Sequence, residues 1–314
     1  MRAPRAGYCT DGVYTCTGKP DRQAASQVGS PQYTVRRMLQ RAGAVLGQQC
    51  RRSLTTVGRE GGVATVTLDS PNTRNALSLE MMNKIIADVE TAGADRAVRT
   101  IVLRGEGKVF SAGHNLKEMT ADRGYEFHME IFDRCERMML LMREVGVPVV
   151  GVVAGQLAAA AGCQLIASCD LVLATPSSQF STPGAGVGLF CHTPGVPLAR
   201  RVPRAVSGDM LLTGQPISGE AALRAGLVSR LVEEAELQAE LDSVTAAIAS
   251  KPRAVVELGK RFYHQQLELP LAAAYSQGGR VMAENLQYWD AQEGIAAFKE
   301  KRRPQFCHTA RRVE

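Results

Sequence analysis

The residues best suited to chemistry lie in the stretch Gly151-Val-Val-Ala-Gly-Gln-Leu-Ala-Ala-Ala-Ala-Gly-Cys-Gln-Leu-Ile-Ala-Ser-Cys-Asp170. A β-branched run from Val147 to Val153 opens it, Gly155 breaks it, and small residues then feed a helix. That pattern predicts a strand, a tight Gly/Ala turn and a helix N-terminus. The first N–H groups of a helix have no intrahelical partner, so such a turn aims donors at whatever sits above it. Four alanines and a glycine leave no side chain between a ligand and that backbone. The same residues also fit a buried strand and helix with no ligand at all. Val145 to Cys169 is uncharged and long enough for a membrane span. It is alanine-rich, however, and holds Pro148, two glutamines and four glycines, which speaks against one.

The elements that must position this turn can be read on either side. Gly62 to Leu68 alternates as a strand, and Asp69 to Asn75 is a turn cluster. Ser78 caps an amphipathic helix that runs to about Ala92. Val98 to Leu103 reads as a strand, and Asn115 can cap a short helix after Phe110-Ser-Ala-Gly-His. Asp122 to Val145 reads as a long helix, with Met138, Met139, Leu141 and Met142 filling the core. Strands follow at Leu171 to Ala174 and Gln179 to Thr182. Pro183 to Gly195 is a glycine-rich loop without the spacing of a dinucleotide fingerprint. The remainder is mainly helical, with one strand at Val228 to Val232. The expected architecture is an α/β core followed by helices.

Composition narrows the function classes. The 314 residues are 45% hydrophobic and 22% charged, ordinary for a globular protein. The net charge of +6 is unevenly spread: residues 1–59 hold ten Lys/Arg against two Asp, leaving 27 basic and 29 acidic residues elsewhere, or −2. A body of that charge has no footprint for nucleic acid. From Arg22 to Arg59 there is no acidic residue, and Val35 to Leu46 can form a basic amphipathic helix. Arg-rich, Ser/Thr-containing and acid-poor is the mitochondrial transit pattern, with Met38 as a more usual opening for it. The domain expectation is a basic leader over 1–59, a core over 60–245 and a helical region over 246–314. The eight cysteines form no metal-spaced cluster and are expected as small hydrophobes in a reducing compartment, with no metal site.

Three segments in order resemble the crotonase, or enoyl-CoA hydratase/isomerase, superfamily: Ser70-Pro-Asn-Thr-Arg-Asn-Ala-Leu77, Phe110-Ser-Ala-Gly-His-Asn-Leu116 and Ala160-Ala-Gly-Cys-Gln-Leu-Ile-Ala-Ser-Cys-Asp170. Glu293 to Arg302 resembles the family's last helix. The resemblance covers about 60–314 and implies a spiral of ββα units, a helical C-terminal trimerisation region, and trimers or pairs of trimers. It implies a coenzyme A thioester as ligand, no permanently bound cofactor, and a role in fatty acyl-CoA metabolism in the mitochondrial matrix. The thioester carbonyl would sit between the backbone N–H groups of His114 and Ala161, which suits an enolate forming beside it. Asn72, Thr73, Arg74, Asn115, Leu116, Lys117, Phe298 and Lys301 would hold the nucleotide end of CoA.

The chain departs from the family at two positions. The family's two catalytic glutamates fall here on Gln164 and Gly184. An amide takes no proton at neutral pH and glycine offers nothing. The expectation is therefore a binding protein with weak, altered or no hydratase activity; the alternative is a non-catalytic partner of crotonase-family oligomers. His128, on the long helix, and His192, on the glycine-rich loop beside Cys191, are the alternative acid/base groups. From Pro148 to Gln164 the chain is one residue longer than the family spacing, near Gly155-Gln156, so either a bulge or an altered Ala161 turn is expected.

Overall fold

A computed structural model describes residues 53–313. The transit pattern over 1–52, including Met38, lies outside the described residues. Within the segment expected as leader, β1 (Thr55–Glu60) pairs antiparallel with β2 (Val63–Leu68), register Thr55 to Leu68. Its single buried residue and five exposed ones gave no alternation to read.

Helix α1 (Leu79–Ala94) starts as expected, with the Ser78 side chain accepting from Met81 N. After it come β3 (Thr100–Gly105) and β4 (Val109–Ser111). The strand expected from Val98 begins two residues later, because Val98 N turns back onto Asp95 O. Helix α2 (Gly124–Glu144) follows, burying Met138, Met139, Leu141 and Met142. Then come β5 (Val149–Val153), β6 (Leu157–Ala159) and α3 (Ala161–Ser168). Strand β6, Leu-Ala-Ala, is three residues without β-branching, so the expected simple turn contains a strand that periodicity cannot show.

Strands β7 (Leu171–Ala174) and β8 (Gln179–Ser181) precede α4 (His192–Arg201) and α5 (Arg204–Thr213). The glycine-rich segment is therefore shorter than expected: a 3-10 turn covers Pro183–Val187, Cys191 is the N-cap of α4, and His192 is helical. The chain continues through β9 (Ile217–Ser218), α6 (Gly219–Ala225), β10 (Arg230–Leu231) and α7 (Leu237–Ala249). Helices α8 (Arg253–Gln266), α9 (Leu271–Asn285) and α10 (Trp289–Lys299) form the C-terminal region. A core boundary at 245 would cut through α7.

The strands form two sheets. One has the order β1-β2-β3-β5-β7-β10 and the other β4-β6-β8-β9. Each unit β3-β4-α2, β5-β6-α3 and β7-β8-α4 gives its first strand to the larger sheet, its second to the smaller, and then a helix. That is a spiral of ββα units. The pairings within each run are parallel except at β1–β2 and β8–β9. The principal core lies among α1, α2, α3 and the sheets, with Leu68, Ile85, Ile101, Phe110, Met138 and Phe180 fully buried. No helix among the described residues is long and apolar enough to cross a membrane. Cys135, Cys163, Cys169 and Cys191 are buried, whereas Cys307 is exposed, against the expectation of an apolar setting.

Candidate functional site

The loop after β4 is welded to the turn after β2. Asn75 is fully buried; its side chain accepts from Ser70 N at 2.8 Å and donates to Glu106 O and Val109 O, each at 2.9 Å. Arg74 O accepts from Ala112 N at 3.0 Å, and Gly113 O accepts from Leu77 N at 2.8 Å. Asn115 N returns to Leu77 O, so Leu77 and His114 form a parallel bridge. The bridge bonds lie on either side of His114 and leave its own N–H without a partner among the described residues.

The second donor comes from the head of α3. Ala160 sits at φ 48° and ψ −120°, a left-handed setting that an alanine rarely adopts, pinned by Ala160 N donating to Ser181 O at 2.9 Å. Ala161 is the first residue of α3, so its N–H has no intrahelical acceptor. The loop that carries His114 packs on the head of α3 at Gly113 (φ 91°): a Cβ there would lie 2.8 Å from Ala160 Cβ and 3.1 Å from Ala161 N. Gly162 permits the same approach from the other side, since its Cβ would lie 2.5 Å from Ser111 O. Glycine is required at both because backbone touches backbone. Strained backbone held by its surroundings is a recurrent feature of functional turns.

The His114 imidazole packs edge-on against Phe132, ring centroids 5.5 Å apart. Both ring nitrogens are buried and make no hydrogen bond of ordinary geometry. Burial pushes its pKa down, with a smaller opposing pull from the Leu77 backbone, so the ring is neutral.

Gln164 lies one turn beyond Ala161, is buried, and has Oε1 3.9 Å from Cys135 Sγ. Burial pushes the Cys135 thiol up to about 12, which keeps it protonated. Gly184 is more constrained than a missing side chain suggests. A Cβ there would lie 2.1 Å from Leu189 O and 2.8 Å from Cys191 Sγ. Its φ is outside the left-handed region, so space rather than backbone angle excludes a side chain. Gly184 N donates to that same sulfur at 3.3 Å.

The alternative histidines are placed apart from Gln164. His128 Nε2 contacts Thr120 O at 3.1 Å, and His192 stacks on Phe190 at 5.0 Å on the surface. Neither lines the cavity that Gln164 opens into. At Gly155 (φ 64°) the chain turns between β5 and β6, its N–H donating to Thr175 Oγ1 at 2.7 Å. Gln156 is buried, with Nε2 donating to Gly105 O at 2.8 Å. Beyond that turn β6 stays in step with β8 up to Ala159 and Ser181, while β4 carries an irregularity against β6 between Val109 and Ser111.

Asn72, Thr73, Arg74, Leu116 and Lys117 are all exposed, and the Arg74–Ala112 and Leu77–His114 links bring the two segments together. The Asn115 side chain caps the short turn Leu116–Glu118. Phe298, 86% exposed, and Lys301 sit at the end of α10; no described hydrogen bond joins them to those segments.

The cavity beginning at Gln164 has a volume near 1260 Å³ and runs between α2, α3, α4 and α8. At its far end lies a cluster that sequence reading missed. Asp170 accepts from Lys260 Nζ at 2.7 Å, from Val149 N at 2.7 Å and from His264 Nε2 at 2.9 Å. His264 Nδ1 accepts from Arg143 Nε at 3.2 Å, which leaves the ring proton on Nε2. Burial alone would raise the Asp170 carboxyl, but the His264 and Lys260 contacts outweigh it and hold the group below its usual range. Lys260 and His264 lie four residues apart on α8, whereas Arg143 and Asp170 come from two other segments, so only the first pair had a local spacing to read.

Comparison with known proteins matches residues 58–309 to the enoyl-CoA hydratase/isomerase family model. Enoyl-CoA hydratase domain-containing protein 3, mitochondrial, from Rattus norvegicus is 45% identical over 262 residues, covering 83% of this chain and 87% of that protein. The crystal structure of the human protein of that name is 45% identical with a TM-score of 0.79, covering 81% of this chain and all of that one. The enoyl-CoA hydratase structure from Mycobacterium smegmatis is 42% identical with a TM-score of 0.79, covering 82% of this chain and 100% of its own.

Proposed function

Because this chain belongs to the enoyl-CoA hydratase/isomerase family, we propose that it is an acyl-CoA-binding protein of fatty acid metabolism with weak, altered or no hydratase activity. The observation carrying this reading is the packing of Gly113, the residue before His114, against the head of α3, which sets two N–H groups without a described partner, His114 and Ala161, near each other. Donors fixed in this way stabilise an oxyanion or enolate on a thioester without reorganising. The head of α3 adds its positive dipole end. Hydration needs more: a base for water and an acid for the α-carbon. Gln164 supplies neither, and the space at Gly184 is filled by Leu189 O and Cys191 Sγ.

The exposure of Asn72–Arg74 and Leu116–Lys117 supports a role for them in receiving the nucleotide end of CoA. Phe298 and Lys301 would serve that end in another copy of the chain. A trimer is supported by α9, which buries no residue and exposes Leu271, Tyr275 and Met282. The same face favours a second reading, a non-catalytic member of mixed crotonase-family oligomers. A mitochondrial matrix address is supported by the basic leader and by the mitochondrial relatives; deleting residues 38–52, short of β1, should abolish import of a tagged chain.

The test is a panel of acyl-CoA thioesters on the purified chain, reading binding and turnover together. Micromolar or tighter binding with hydration near background is expected. No binding to any thioester overturns the reading.

A further inference from the structure

We propose that Gln164 determines specificity beside the two backbone donors: its amide nitrogen selects a CoA thioester with a ketone oxygen on the third carbon, a 3-oxoacyl group. The inference rests on the thioester reading of the His114 and Ala161 donors. Gln164 is 5% exposed, and one end of its carboxamide is already engaged. Oε1 faces Cys135 Sγ at 3.9 Å, and the Cys135 thiol keeps its proton to donate there. That contact fixes which way the carboxamide lies, with the NH2 turned away from Cys135. Nε2 makes no hydrogen bond among the described residues, yet it is not sealed off as the His114 ring nitrogens are. The open space at Gln164 is the cavity that begins there. A buried amide donor costs free energy unless something answers it.

The donors themselves lie outside the cavity lining, and Gln164 connects the two. Helical side chains lean toward the N-terminus and cover the preceding turn, so the Gln164 side chain lies back over Ala161, three residues before it. On the other side the His114 ring packs on Phe132 at 5.5 Å, and Phe132, which lines the cavity, stands one turn before Cys135 on α2. The packing of Gly113 on the head of α3 closes this ring of contacts. A carbonyl at the two N–H groups is therefore about one turn from the Gln164 amide, and the deeper cavity is not needed.

Chemistry selects the group. An oxygen on the third carbon is four bonds from the thioester oxygen, a span that stays within one helical turn, about 5.4 Å. A ketone only accepts, which suits a side chain left with a donor to offer. A carboxylate at that place would meet Asp133 and Glu136, which line the cavity beside Cys135. A saturated acyl group would cover the amide and leave it unanswered.

Calorimetry on the full chain with butyryl-CoA, 3-oxobutyryl-CoA and malonyl-CoA tests this. 3-Oxobutyryl-CoA should bind about fivefold to tenfold tighter than butyryl-CoA, the range for one net hydrogen bond. Malonyl-CoA should bind no tighter than butyryl-CoA. Gln164→Met, which keeps the length and removes the donor, should erase the preference for the 3-oxo compound, and Gln164→Glu should invert it. The parent measurements stand by themselves should Gln164→Met fail to fold. Equal affinity of the parent for butyryl-CoA and 3-oxobutyryl-CoA, an undiminished preference in folded Gln164→Met, or malonyl-CoA as the tightest of the three would overturn the assignment and leave the thioester reading intact. Binding of none of the three would overturn both.

Discussion

The two ends of α3, eight residues apart, are treated in opposite ways. At its head Ala160 is held in a left-handed conformation and the Ala161 N–H points at no partner. At its foot nothing is left open: Arg201 answers the Ala167 and Cys169 carbonyls, and Asp170 receives Lys260, His264 and Val149 N. Both ends are strongly polar, yet only the first has donors to spare. An end with every group answered holds the fold; an end with a strained residue and unanswered donors is a place for a ligand.

The comparison breaks most visibly at the foot. Lys260→Met takes the ammonium from the buried Asp170 carboxylate and leaves it only His264 and Val149 N; removing one partner of a buried pair costs about 3–5 kcal/mol. Urea unfolding should show that loss, and the variant should also lose its acid profile. Asp170 is held below its unfolded value, so its contribution is present above the ordinary carboxylate range and disappears as pH falls through the folded value. Thioester binding by the folded fraction should change little.

At the head the effect should fall on the ligand. His114→Pro deletes one donor and should weaken thioester binding by up to ~10²-fold, since losing such a donor costs ~10²–10³ in rate and less in ground-state affinity. His114→Ala keeps the N–H and should bind within a few-fold of the parent. Equal losses in the two folded variants would show that the imidazole, not the backbone, is in use.

A smaller effect should separate backbone strain from side-chain packing. Ala160→Val places a β-branched residue at φ 48° and should destabilise by roughly 1–3 kcal/mol. Ala160→Gly should be neutral or stabilising, because the conformation is then unstrained. Thermal melts of the two variants decide it; a melt of Ala160→Gly well below the parent would remove strain from the account.

The smallest effect is a pH slope. The His114 pKa is lowered by burial, so the unfolded chain takes up a proton that the folded chain refuses. Stability is unaffected above about 6.5 and falls as pH drops below it toward the folded value. His114→Ala should flatten that slope between pH 6.5 and 5, measured as the difference between the two denaturation series. An unchanged slope would mean that the ring is already hydrogen-bonded in solution.

Sequence made the head of α3 legible because its signals are local: small residues after a β-branched run, and three short segments in family order. For the same reason it drew attention to Gln164 and Gly184 as the positions where the family resemblance implies carboxylates. It did not show β1, β4 or β6, which are short or one-sided and are held by neighbours distant in the chain. It missed the Arg143–His264–Asp170–Lys260 cluster because only tertiary packing brings Arg143 and Asp170 to the Lys260–His264 pair on α8. Nor did it show that Gly184 has no room for a side chain, since the obstruction is Leu189 and Cys191 folding back over it.

That obstruction sharpens the central claim, which is that the thioester-binding backbone is present while the hydration machinery is absent. The most direct test is to measure crotonyl-CoA hydration and crotonyl-CoA affinity on one preparation of the full chain, alongside Gln164→Glu and Gln164→Glu with Gly184→Glu. The predicted result is measurable affinity and background hydration in the parent, a modest gain in the single variant, and no further gain in the double, whose second glutamate must displace the Leu189–Cys191 backbone. Turnover by the parent at about 1–10³ s⁻¹, the range of ordinary enzymes, would contradict the claim and show that another group on this chain handles the proton.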